Sequence, residues 1–73
     1  MAPVLYPEDV ALLARAVDEA RSCIEIERGR CTAEVEARIA RAVIEAHFDG
    51  ERRYQLIVAK GVIAAVEPPQ YAS

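Results

Sequence analysis

Seven residues that break or bend helices constrain this chain most, because of where they stand. Proline occurs at positions 3, 7, 68 and 69 and glycine at 29, 50 and 61. Proline lacks a backbone N–H and fixes φ, so it opens a helix easily and continues one badly. Glycine after an apolar-periodic run supplies the left-handed backbone that commonly closes a helix. Pro7, Gly29, Asp49-Gly50 and Pro68-Pro69 therefore divide the chain into three segments, each of helical length.

The first segment reads as a helix over about 7–24. Glu8 and Asp9 place negative charge at the positive end of the helix dipole. At 100° per residue, Val10, Leu13, Val17, Ala20 and Ile24 share a face, with Leu12 and Cys23 at its edge and Glu8, Arg15, Glu19 and Ser22 opposite. Residues 25–31 are charged, contain Gly29 and read as a connector. Thr32 then offers a side-chain oxygen to the next turn, with Glu34 in the dipole field, and a second helix is expected over 32–48.

The third segment, 51–66, admits two readings. Tyr54, Leu56, Ile57, Val58, Val62, Ile63 and Val66 favour strands, and Lys60-Gly61 suits a hairpin turn. The run lacks the polar alternation of a half-exposed strand, however, and a hairpin laid on two helices leaves both sheet edges open. Helix is the expectation, and 68–73 is expected to be a flexible tail. The fold class predicted is all-α, a single three-helix domain.

Composition narrows the function. The chain is 53% hydrophobic and 29% charged, outside the range of disordered chains. Its formal charge of -3 makes nucleic-acid or anionic-membrane binding an unfavoured expectation. The N-terminal residues lack the basic and apolar regions of a secretory leader, and the longest apolar stretch, 56–66, contains Lys60 and is about half the roughly 20 residues a membrane span needs. A cytoplasmic protein is expected. Arginine outnumbers lysine eight to one and alanine is abundant, which suggests a GC-rich bacterial gene.

Pro7-Glu8-Asp9-Val10-Ala11-Leu12-Leu13, Arg15-Ala16-Val17-Asp18-Glu19-Ala20 and Ala37-Arg38-Ile39-Ala40, leading to Gly50-Glu51-Arg52, resemble a group of short α-helical proteins of proteobacteria without assigned activity. The motifs cover about half the chain. The resemblance implies a helical fold and no particular chemistry. Such proteins tend to carry an Asp just after Gly-Glu, where Arg52 and Arg53 stand here.

Candidate chemistry is thin. Cys23 and Cys31 are spaced by eight, unlike the close CxxC pairs of zinc or redox sites, and read as reduced thiols, buried or at the edge of the core. With His47 they leave a tetrahedral zinc site one ligand short. A nucleophile-base pair of cysteine and His47 has no oxyanion-hole signature beside it. Arg15-Glu19, Arg21-Glu25, Glu34-Arg38 and Arg41-Glu45 are opposite charges at i,i+4, the pattern of solvated helix faces. No catalytic residue, cofactor or metal is expected.

The surplus of apolar surface is more informative. On the third helix Tyr54, Ile57, Val58, Gly61 and Ala65 form one face; Leu56, Ala59 and Ile63 form the opposite one. On the second, Val35, Ile39, Ala42, Val43 and Ala46 form one face; Ala33, Ala37, Ala40, Ile44 and Phe48 form another. A helix in a monomeric bundle needs a single such face. The expected partner is a second copy or another helical protein, with Ile44, Phe48, Leu56, Ala59 and Ile63 as the seam of a homodimer and an interaction or adaptor role for the molecule. Two alternatives are a small DNA-binding regulator, with helices 2 and 3 as a helix-turn-helix led by Arg52 and Arg53, and a minor subunit stabilising a larger enzyme.

Overall fold

A computed structural model describes residues 6–66, which form three helices: α1, Pro7–Arg28; α2, Ala33–Phe48; and α3, Tyr54–Val66. All three pairs of helices are in contact. The third segment is helical, so the hairpin alternative falls away. The expected tail, 68–73, lies outside the described residues.

Helix α1 starts where Pro7 predicts, with the Asp9 and Val10 amides donating to the Tyr6 carbonyl at 2.9 and 3.0 Å. It runs four residues beyond the expected end at 24. Glu25 to Arg28 are acceptable helix formers, and nothing before Gly29 interrupts the ladder. There, at φ +86°, the glycine amide donates back to the Glu25 carbonyl at 2.8 Å and the helix stops. The connector is correspondingly shorter than 25–31.

Thr32 is the N-cap of α2, its hydroxyl accepting from the Val35 amide at 3.2 Å. At the other end the Gly50 amide bonds the His47 carbonyl and the Glu51 amide bonds the Ala46 carbonyl, at 3.1 and 3.0 Å. That pair is a Schellman closure, which requires the positive φ that Gly50 holds at +100°. The closure commits Glu51 to the end of α2, so α3 begins at Tyr54 and not at 51 as the sequence suggests.

The core is small and aliphatic. It comprises Leu13, Ala16, Ala20 and Ile24 of α1, Ile39, Val43 and Ala46 of α2, and Ile57, Val58 and Ala65 of α3, and among the described residues no polar or charged one is fully buried. Helix α3 packs tightly against its neighbours at Gly61. A Cβ there would come within 3.1 Å of Val43, 3.2 Å of Ile39 and 3.2 Å of Ala20. Both other helices thus converge on one glycine, so the side of α3 opposite it points away from the bundle.

Candidate functional site

The side of α3 opposite Gly61 carries Leu56, Ala59, Ile63 and Val66. Ala59 is half-buried; Leu56, Ile63 and Val66 are 38, 52 and 38% exposed. Lys60 is exposed on the flank of this face. Arg52 and Arg53 stand ahead of the helix, the second 3.5 Å from Glu51. No segment from Arg52 to Val66 contains an acid, although the whole chain has a formal charge of -3.

Ile44 does not share that surface. It closes an apolar groove of about 230 Å³ between α2 and α1, where its neighbours are Val10, Leu13, Ala14 and Val17. Phe48 lies at the end of α2, packed at 5.6 Å against the His47 ring. The five residues of the expected seam are therefore solvent-accessible to differing degrees but divide among three places: Leu56, Ala59 and Ile63 on α3, Ile44 in the α1–α2 groove, and Phe48 at the bundle end. A helical wheel for each element finds the apolar faces; it carries no information on how the helices are rotated toward one another.

Phe48 also lines a chemically mixed hollow of about 370 Å³ with Tyr6, Asp9, Leu12, His47, Glu51 and Arg52. His47 Nε2 lies 4.0 Å from Asp9 Oδ2, joining the start of α1 to the end of α2. Arg52 donates to the His47 carbonyl at 3.4 Å. Arg52 thus supports the terminus of α2. Sequence reading misses this association, since Asp9 and His47 are 38 positions apart and only the antiparallel packing of α1 and α2 brings them together.

A second polar cluster ties α3 to α1. The Tyr54 hydroxyl donates to Glu19 Oε1 at 3.3 Å, and the Arg15 guanidinium sits 5.7 Å from the Tyr54 ring centre. Burial, then the negative charge of Glu19 and its hydrogen bond, push the Tyr54 hydroxyl above its ordinary pKa of 10.0, against a smaller opposing effect of Arg15. In place of the expected Arg15-Glu19 and Arg21-Glu25 pairs, Arg15 and Glu19 both meet Tyr54, and Arg21 pairs with Asp18 within α1 at 3.4 Å and with Glu36 of α2 at 3.8 Å. Arg41 and Glu45 do pair along α2, at 3.6 Å.

Both cysteines are free thiols. Cys31 is half-buried, and burial, followed by Glu36 and Glu25, raises its pKa above 9.0. A raised pKa disfavours the thiolate that nucleophilic chemistry requires. Cys23 is exposed, a correction to its placement in or beside the core; that part of α1 lies beyond the cover of the other helices at its azimuth. Among the described residues no three His, Cys, Asp or Glu side chains converge as metal ligands, and no helix is long and apolar enough to cross a membrane.

Compared with known proteins, the chain matches no family model, no curated protein and no solved structure.

Proposed function

We propose that this protein is a small helical interaction module that binds a partner helix on the outer side of α3, its role being recognition and not catalysis. One observation carries this: Leu56, Ala59, Ile63 and Val66 form an apolar side of α3 directly opposite the residues that build the core. Full burial of a Leu or Ile side chain is worth roughly 1.5–3 kcal/mol, so covering this face offers a small domain a gain comparable to part of its own stability. Ala59 helps in a second way, because a small residue between two larger ones admits a close helix-helix approach.

The test is a titration of isotopically labelled protein with a short synthetic amphipathic helix of leucine, alanine and glutamine, followed by amide chemical shifts. Binding should perturb Leu56, Ala59, Ile63 and Val66 first, and Ile63→Glu should abolish it while leaving the helical spectrum unchanged. Perturbation confined to Val10, Val17 and Ile44, or none at all, would reject α3 as the docking face.

A further inference from the structure

We draw no further inference here: the strongest candidate, the hollow of about 370 Å³ at the end of the bundle where His47 of α2 faces Asp9 of α1 beside Phe48, carries nothing, because its charged side chains are already engaged with their neighbours and nothing in the structure shows what would occupy it.

Discussion

Leu56 and Ile57 follow one another in the chain and are aliphatic residues of nearly equal size, yet Ile57 is sealed from solvent while Leu56 remains 38% exposed. The inner side of α3, with Ile57, Val58, Gly61 and Ala65, is buried and at Gly61 meets both other helices; the outer side, with Leu56, Ala59, Ile63 and Val66, keeps much of its surface in solvent. Since hydrophobicity is nearly the same on the two sides, it cannot be what selects the core. Steric fit does: the glycine lies on the inner side, and only there can α3 approach Ala20, Ile39 and Val43 so closely.

If this contrast is sound, the largest effect should come from the inner side. Ile57→Ala removes a fully buried branched side chain and should lower unfolding free energy by about 2–5 kcal/mol in a chemical denaturation experiment. A loss no greater than that of Leu56→Ala would break the distinction between the two sides.

Gly61→Ala sharpens it. Alanine restores about 1 kcal/mol of helix propensity, but its methyl must enter a space where Val43, Ile39 and Ala20 lie at 3.1–3.2 Å, and overpacking costs about 1–3 kcal/mol. The Val43 and Ile39 methyls have some freedom to turn aside; the Ala20 methyl has none. A net destabilisation of about 1 kcal/mol is expected, against a gain for any exposed helix glycine. Thermal denaturation distinguishes the two signs.

Tyr54, at the start of the inner side and packed against the core, titrates. Its pKa is raised in the fold, so the native state retains a proton that the unfolded chain releases near pH 10.0. The associated stability is complete below that pH and declines as pH rises toward the folded value. Cys31 acts with the same sign from 9.0, so the measurement belongs in a Cys31→Ala background. There, Tyr54→Phe should flatten the alkaline decline in stability; an unchanged slope would mean that burial and Glu19 do not hold the proton.

The smallest effects belong to the outer side. Leu56→Ala and Ile63→Glu should each change the stability of the isolated chain by less than about 1 kcal/mol, because the replaced side chains are only partly withdrawn from water. A collapse of the fold on Ile63→Glu would show that the isolated chain does not leave this side open.

Much of this contrast is legible in the sequence. Pro7, Thr32 and Gly50 mark helix boundaries through local chemistry, and the helical period separates Ile39 and Val43 from Ile44 without reference to the other helices. Local reasoning fails where two signals compete or where the chain meets itself. The charge and Gly29 of residues 25–31 read as a connector, whereas Glu25 to Arg28 form the final turn of α1. Asp9 with His47, Tyr54 with Glu19 and Arg21 with Glu36 depend on helix azimuth and crossing, which no periodicity within one helix records. For the same reason Ile44 is drawn into a groove with α1 while Ile63 is not, though both look like spare apolar residues.

Gly61 also bears on motion. Sliding α3 by one helical turn, about 5.4 Å, would bring Ile57 or Val58 from one side, or Ala64 or Ala65 from the other, into the slot that Gly61 occupies. Each carries a Cβ that would stand 3.1–3.2 Å from the surrounding methyls, close enough that they would have to shift by a few tenths of an ångström. The glycine therefore acts as a detent, blocking sliding by whole turns and resisting rotation about the helix axis. A helix held in this manner presents Leu56, Ala59 and Ile63 at a fixed azimuth, so a ligand meets a surface already set and loses little entropy in ordering it.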